Sequence, residues 1–275
     1  MELEQLIASA QRRLSCIMVY WPIKMLEKHR VKKDIILPDF LGIGVQKSGT
    51  AWVYRNLKCH PDIYMSDKKE VHYFDRYFYY SLEEYSKIFE KGCEKIKGEI
   101  TPAYATLSIR HIEYIRAIMP NLKIILMLRN PIDRAWSAVK MNLLGSDATK
   151  NHKNRPYNEI DQEEFMRRLK KRHYLEYGDY LKIIQKWEGV FGEENIFIGF
   201  FDDIKTQPKS LLTDLFNFLG VSDDVEWNSF PFNQKFNAGK RVDMPDDIRS
   251  YLSAIYKKDI ELLKERFGDK VGGWG

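Results

Sequence analysis

The feature that most constrains this chain is a glycine-bracketed turn near residue 47. The turn reads Gly-Val-Gln-Lys-Ser-Gly-Thr over residues 44–50, follows the apolar run 40–43 and precedes the helix-like stretch 51–58. A strand, a glycine turn and a helix start in this order can hold a phosphate, because backbone N–H groups converge at the positive end of the helix. The turn therefore predicts an anion site within an α/β fold.

The lysine of this turn is in an unusual place for an ATP-binding loop. A Walker A loop ends in Gly-Lys-Ser or Gly-Lys-Thr, whereas here Gly49 is followed directly by Thr50 and Lys47 lies inside the turn. The displaced lysine predicts a phosphate-bearing ligand other than ATP or GTP.

Length and composition predict one domain. The chain has 275 residues, of which 44% are hydrophobic and 30% are charged, and its net charge is +5. That excess suits anionic ligands but is too small to indicate nucleic acid. Cys16, Cys59 and Cys93 form no CxxC pair, which argues against a disulfide framework or a zinc site and fits a reducing compartment. We expect a helical N-terminal extension over residues 1–38 and a core over residues 39–275.

No segment has the roughly 20 apolar residues of a membrane span. The apolar stretch 14–21 is short, is interrupted by Pro22 and is flanked by arginine and lysine residues. It predicts an N-terminal helix that packs on the domain, and peripheral membrane contact through this helix stays an alternative. We expect a cytoplasmic protein.

Strand-like and helix-like segments alternate along the core. Near-continuous apolar runs at residues 39–45, 122–128 and 195–201 predict buried parallel strands. Helices are predicted over residues 50–58, from Pro131 onward, over 208–219 and over 246–267, and a long exposed loop over 145–158. This order predicts a P-loop-like α/β fold of three layers, with a mainly parallel central sheet flanked by helices.

Three clusters carry candidate chemistry. Glu70 and His72 would point to the same side of an extended segment, where a carboxylate can act as a general base; a surface turn with a structural histidine is the alternative. Arg129 ends a predicted strand, and Ser137 lies two helical turns further on, so both could bind one phosphate or merely form a helix end. Lys240 and Arg241 could close over an anion or be solvated.

Together these segments resemble the sulfotransferases that use 3′-phosphoadenosine 5′-phosphosulfate (PAPS), especially the heparan sulfate 3-O- and N-sulfotransferase branch and its bacterial relatives. Residues 44–50 are similar to the 5′-phosphosulfate loop of that family, residues 128–137 to its 3′-phosphate motif and residues 239–241 to its capping loop. Lys-Glu-Val-His-Tyr-Phe-Asp at 69–75 resembles Lys-Glu-Val-His-Phe-Phe-Asp, and Glu-Ile-Thr-Pro-Ala-Tyr at 99–104 resembles Glu-Lys-Thr-Pro-Ala-Tyr.

The resemblance implies a role for each matching residue. Glu70 would remove the proton from the acceptor, His72 would orient the acceptor or assist Glu70, and Lys47 would reach the oxygen that bridges phosphorus and sulfur. PAPS would be the donor and PAP the product, and no metal is implied. The implied donor-binding residues are Lys47, Ser48, Gly49, Thr50, Ala51, Trp52, Arg129, Ser137, Lys240 and Arg241.

The resemblance is incomplete around the acceptor. Ile100 stands where the heparan enzymes carry a lysine, and the capping loop reads Gly-Lys-Arg instead of Lys-Gly-Arg. We expect a bacterial relative that sulfates a hydroxyl or an amine, with a carbohydrate such as a glycan or glycolipid as the favoured acceptor. A polyketide hydroxyl and a small phenol stay open. A non-catalytic PAP- or PAPS-binding module and a divergent P-loop nucleotide kinase are the alternative functions.

Overall fold

The computed structural model describes residues 35–78, 80–144, 161–236 and 242–275. At its centre lies a five-stranded sheet in the order β2-β3-β1-β4-β5, in which every neighbouring pair is parallel. The strands are β1 (Phe40–Gly44), β2 (Ile63–Met65), β3 (Ile96–Ile100), β4 (Lys123–Leu128) and β5 (Ile196–Phe200).

Helices follow most of the strands. The helices are α1 (Thr50–Leu57), α2 (Leu82–Ser86), α3 (Ile109–Ile118), α4 (Pro131–Leu144), α5 (Gln162–Leu169), α6 (Arg172–Leu175), α7 (Tyr180–Phe191), α8 (Asp203–Thr206), α9 (Pro208–Leu219) and α10 (Asp246–Phe267). A 3₁₀ helix, Pro102–Thr106, continues directly from β3. Of the helices in the described ranges, none is both long and apolar enough to cross a bilayer.

Both faces of the sheet are covered by helices. Residues of β4 alternate between two apolar clusters, because successive side chains of a strand point to opposite faces. Ile124 and Leu126 pack in the cluster that contains residues of α3, α4, α7 and α10, whereas Ile125 and Met127 pack with residues of α1 and α9. The architecture is the predicted three-layer α/β fold, which is thereby confirmed.

The connections place a crevice between β1 and β4. The chain leaves β1 toward β2 on one side of the sheet and leaves β4 toward β5 on the other. Open parallel sheets bind ligands where neighbouring connections diverge in this way, just beyond the carboxyl ends of the strands. Residues that follow β1 and β4 are therefore placed for ligand binding.

Most predicted elements agree with the structure to within two residues, and α9 and α10 have the predicted limits. β2 and β3 were not predicted. β2 is Ile-Tyr-Met, only three residues long, and β3 reads Ile-Lys-Gly-Glu-Ile, in which Lys97 and Glu99 interrupt the apolar run. In β3 the Lys97 side chain pairs with Asp39 at 2.8 Å, whereas Glu99 is fully buried.

Several expectations lie outside the described residues. These are residues 1–34 of the N-terminal extension, the loop at 145–158 and the basic residues Lys240 and Arg241. They stay predictions, as does the assignment of the whole chain to one domain.

Candidate active site

The turn after β1 is shaped by glycine. Gly49 is the N-cap of α1 and has φ 88°, a conformation that favours glycine, and Lys47 also has a positive φ, 73°. A Cβ on Gly49 would lie 2.3 Å from Cδ1 of Ile204 and 3.2 Å from Cδ2 of Phe201. Glycine at position 49 therefore suits both the left-handed backbone and the close approach of the chain beyond β5.

The turn presents hydrogen-bond donors suited to an anion. Across the described part of the chain, no group accepts a hydrogen bond from the backbone N–H of Gly49, Thr50 or Ala51. The Ser48 hydroxyl is fully buried, and the polar group beside it in that same part is the Tyr180 hydroxyl. The nearby Tyr180 hydroxyl donates its own proton to the carbonyl oxygen of Arg129 at 2.6 Å. These donors fit the predicted phosphosulfate, because helix N-termini attract anions.

Trp52, which we expected to bind the donor nucleotide, makes a hydrogen bond within the protein. Its side chain is buried, and its indole N–H donates to the carbonyl oxygen of Phe232 at 2.8 Å. Trp52 thus links α1 to the segment that leads toward residues 237–241, and its contact with a donor stays a prediction.

The ends of β1 and β4 are joined by Arg129. Its guanidinium donates to the carbonyl oxygen of Lys47 at 3.1 Å and stacks over the ring of Phe201 with 4.5 Å between Cζ and the ring centroid. Asn130 begins the next helix, because its side chain accepts from the N–H of Ile132 at 3.0 Å. Lys47 and Arg129, both expected from the sequence to bind the donor, therefore lie together in the crevice, and their contact with a donor stays a prediction.

Lys140 is a third cation at this site and was not predicted. It lies on α4, three residues after the half-buried Ser137, so both share one side of that helix. Its ammonium group donates to the carbonyl oxygen of Val242 at 3.1 Å and lies 5.4 Å from the ring centroid of Trp136. The spacing from Ser137 is the signal that could have identified Lys140.

The three cations affect one another. Burial, followed by the charges of Arg129 and Lys140, lowers the pKa of Lys47 to about 8. Burial also lowers the pKa of Arg129 and that of Lys140, and the charge of Arg129 lowers the latter further. A multiply charged anion between these groups would offset their repulsion.

Glu70, His72 and Asp75 form a second group. His72 lies between the two carboxylates: its Nε2 is 3.1 Å from Oε2 of Glu70, and its Nδ1 is 3.0 Å from both carboxylate oxygens of Asp75. Lys69 contacts the other oxygen of Glu70 at 3.5 Å. The backbone is not the extended segment that we predicted, since His72 has φ 61°, but Glu70 and His72 do meet.

The electrostatics of this second group favour an ion pair. Burial lowers the pKa of His72, but the hydrogen bonds to Asp75 and Glu70 outweigh it and raise this pKa to about 9. Burial raises the pKa of Glu70, yet the hydrogen bond with His72 and the charge of Lys69 give a net lowering. At neutral pH, Glu70 is an ionised carboxylate beside an imidazolium. Asp75 was within the motif at residues 69–75, but the sequence did not indicate its role.

Comparison with known proteins identifies the class to which this fold and site belong. Residues 37–261 match the family model of the sulfotransferase domain, and the chain belongs to this family. Its relatives include the membrane-associated sulfotransferase kil1 of Dictyostelium discoideum, 24% identical over 84% of this chain and 65% of that protein.

Two mouse relatives belong to the heparan sulfate branch, which confirms the predicted resemblance. Heparan sulfate glucosamine 3-O-sulfotransferase 3A1 is 26% identical over 72% of this chain and 49% of that protein. Bifunctional heparan sulfate N-deacetylase/N-sulfotransferase 1 is also 26% identical, over 70% of this chain and 23% of that protein. The chain thus spans less than two thirds of the length of these curated relatives.

Solved structures agree with the family assignment. A sulfotransferase from Alicyclobacillus acidocaldarius superposes with a TM-score of 0.64 at 26% identity, covering 84% of this chain and 96% of that one. The sulfotransferase domain from the curacin biosynthetic pathway superposes with a TM-score of 0.53 at 16% identity, over 78% of this chain and 83% of that one. The second similarity concerns the fold alone.

Proposed function

We propose that this chain transfers a sulfuryl group from PAPS to a hydroxyl or amine of an acceptor, with a carbohydrate as the favoured acceptor. The observation that carries the proposal is the arrangement of two groups at one edge of the sheet. Lys47 and Arg129 meet beside the donor-rich turn, and Glu70 and His72 meet in the segment that follows β2.

The donor is assigned to the crevice between β1 and β4. Ser48 and the N–H groups of Gly49, Thr50 and Ala51 would hold the 5′-phosphosulfate. When bound, PAPS supplies an activated sulfuryl group: the bond from sulfur to the bridging phosphate oxygen breaks as sulfur bonds to the acceptor, and PAP leaves. Lys47 would stabilise the negative charge that develops on the bridging oxygen, and such stabilisation accelerates a transfer because it is strongest in the transition state.

Recognition of the 3′-phosphate is assigned to Arg129, which follows β4, and to Lys140 on α4. Arg129 is suited to it because a guanidinium makes bidentate, charge-assisted hydrogen bonds to phosphate oxygens. Ser137 and Lys140 lie on one side of α4 and would complete the site. Lys240 and Arg241 stay predicted contacts to the donor.

Proton removal is assigned to Glu70. A general base must be unprotonated before it can accept a proton, and the lowered pKa of Glu70 keeps its carboxylate ionised at neutral pH. His72, held on its other side by Asp75, fixes one oxygen of Glu70 and leaves the carboxylate oriented. An in-line attack by the acceptor on sulfur would follow without a covalent enzyme intermediate.

The carbohydrate acceptor is proposed from the names of the heparan sulfate relatives. Ile100, at the position where those enzymes have lysine, is buried, and its Cγ1 lies where a Cβ on Gly42 would clash at 2.5 Å. This position contributes no charge to an acceptor, so we propose an acceptor different from heparan sulfate. A cytoplasmic location and a bacterial source stay predictions.

The test is incubation of the full chain with isotopically labelled PAPS and a panel of acceptors, followed by mass spectrometry for an added labelled sulfuryl group. The panel contains glycans, glycolipids, polyketide alcohols and phenols, and the expected result is labelling of a carbohydrate. Labelling of an alcohol or phenol and not of a carbohydrate would change the proposed acceptor and leave the proposed sulfuryl transfer standing. Calorimetry with PAP and with Mg-ATP tests the donor: tighter binding of Mg-ATP would overturn the proposal in favour of a nucleotide kinase.

A further inference from the structure

A buried carboxylate lies beneath the segment that contains Glu70 and His72. Glu99, on β3, has no exposed surface and accepts three hydrogen bonds. Its Oε2 accepts from the Thr101 hydroxyl at 2.6 Å, and its Oε1 accepts from the hydroxyls of Tyr104 at 2.8 Å and Tyr85 at 3.0 Å. A buried charge is retained at acceptable cost only when it is satisfied in this way.

Two of these hydroxyls continue to the backbone of the segment at 70–75. Thr101 Oγ1 accepts from the N–H of Val71 at 3.0 Å and from that of His72 at 3.3 Å. The Tyr104 hydroxyl accepts from the N–H of Phe74 at 3.4 Å. The N–H groups of Val71 and His72 are therefore connected to Glu99 through the Thr101 hydroxyl, and the N–H of Phe74 through the Tyr104 hydroxyl.

The direction of these hydrogen bonds requires an acceptor at position 99. A hydroxyl has one proton and can accept two hydrogen bonds. Because Thr101 Oγ1 already accepts from two N–H groups, its proton must go to Glu99. The Tyr104 hydroxyl accepts from Phe74 and donates its proton to the same carboxylate. A carboxylate satisfies both hydroxyls at once, whereas an amide would turn its NH₂ toward one of them.

We propose that Glu99, acting through Thr101 and Tyr104, is the positioning residue that holds Glu70 and His72 in their reactive arrangement. Glu99 is fully buried and touches neither substrate, so its effect is on geometry. Val71 lies between Glu70 and His72, and fixing its N–H fixes the backbone on both sides. The role in catalysis rests on the proposed function, whereas the effect on the Glu70–His72 contact does not.

The experiment is a pH titration of the histidine ring signals by NMR, with PAP affinity measured in parallel. In the wild type, His72 should titrate near its raised pKa of about 9, because it lies between Glu70 and Asp75. In Thr101→Val, which keeps the shape and the charge of Glu99 but removes the hydroxyl, this pKa should fall by about one pH unit or more toward its ordinary value. In Glu99→Gln it should fall as well, but there the lost charge of Glu99 also acts directly on His72, so Thr101→Val is the variant that isolates positioning. PAP affinity should change by less than about twofold.

Two variants serve as matched controls. Thr101→Ser keeps the hydroxyl and should restore the wild-type titration. Tyr85→Phe removes a bond to the same oxygen of Glu99 and keeps the ring, but within the described residues the Tyr85 hydroxyl makes no hydrogen bond to the segment at 70–75, so the titration should be unchanged. If Thr101→Val binds PAP and leaves the titration of His72 at its wild-type value, the positioning role is overturned. Absence of sulfuryl transfer by the wild type would instead overturn the proposed function.

Discussion

Arg129 donates a hydrogen bond to the carbonyl oxygen of Lys47 across 3.1 Å. This contact joins the turn after β1 to the end of β4 and brings two half-buried cations together. Because like charges in a buried site repel, the arrangement is favourable when an anion lies between them. The contact thus connects the backbone geometry of the turn to the charge that we propose selects its ligand.

Arg129→Ala should weaken PAP binding by roughly 10- to 100-fold, since a hydrogen bond to a charged group contributes about 1.5–3 kcal/mol. Binding of adenosine 5′-phosphosulfate, which lacks the 3′-phosphate, should change much less. Calorimetry with both nucleotides measures the difference, and Arg172→Ala is the control because Arg172 is 87% exposed and pairs with Glu176. Equal losses for the two nucleotides would remove the assigned role of Arg129.

The rate of transfer should fall at alkaline pH because Lys47 loses its charge. Its pKa is lowered to about 8, so the ammonium is present below that pH and is lost as the pH rises through it. The pH profile of kcat/KM for PAPS, which reports groups of the free enzyme, should therefore decline above pH 8. Lys47→Arg, whose guanidinium stays charged, should show no decline in this range. If kcat/KM of Lys47→Arg still declined above pH 8, the decline would belong to a group other than Lys47.

Glu70→Gln should lower kcat by roughly 10²- to 10⁴-fold, the usual effect of losing a general base. PAP affinity should be preserved, because Glu70 is assigned to the acceptor. Asp67→Asn is the matched control, since Asp67 is 69% exposed and pairs with Lys58 on the surface. Single-turnover rates measure the effect, and transfer at the wild-type rate by Glu70→Gln would show that another group accepts the proton.

Gly49→Ala should destabilise the fold and weaken PAP binding. The left-handed backbone costs a non-glycine residue about 1–2 kcal/mol, and the new methyl group would also clash with Ile204. Gly189→Ala is the opposite case: Gly189 lies within α7 with open space around its Cβ position, so alanine should stabilise by about 0.5–1 kcal/mol. Denaturant unfolding measures the free energy of unfolding of both variants, which should fall for Gly49→Ala and rise for Gly189→Ala. A Gly49→Ala variant as stable as the wild type would contradict the strain assigned to the turn.

Local sequence signals were sufficient for much of the fold. α9 begins at Pro208 and ends before Gly220, which has φ 81°, so both limits are marked by residue types with restricted backbone preferences. The turn at residues 44–50 and the apolar run of β4 were likewise readable, because their conformations depend on neighbouring residues. The positions of Lys47 and Arg129 followed from these elements.

Other features depend on contacts between distant residues. β3 was missed because its sequence contains Glu99, and the hydroxyl of Tyr85 that helps to bury this charge is 14 residues away. Lys140 was missed because its proximity to Lys47 arises only when α4 packs beside the turn. The positive φ of His72 was not predicted, because residue preference does not favour it. In the structure this conformation occurs together with hydrogen bonds from His72 to Thr101 and Asp75.

The strand order also divides the site into two parts that lie on opposite sides of β1. Lys47 and Arg129, which we assign to the donor, follow β1 and β4, whereas Glu70, His72 and their support come from the segment after β2 and from β3, on the other side of β1. Mutations on the β2–β3 side can therefore accumulate without altering recognition of the nucleotide. On the proposed function, a lineage with this strand order can acquire new acceptors while keeping one donor, and exchange of the continuous stretch between α1 and β4 would transfer acceptor preference as a unit.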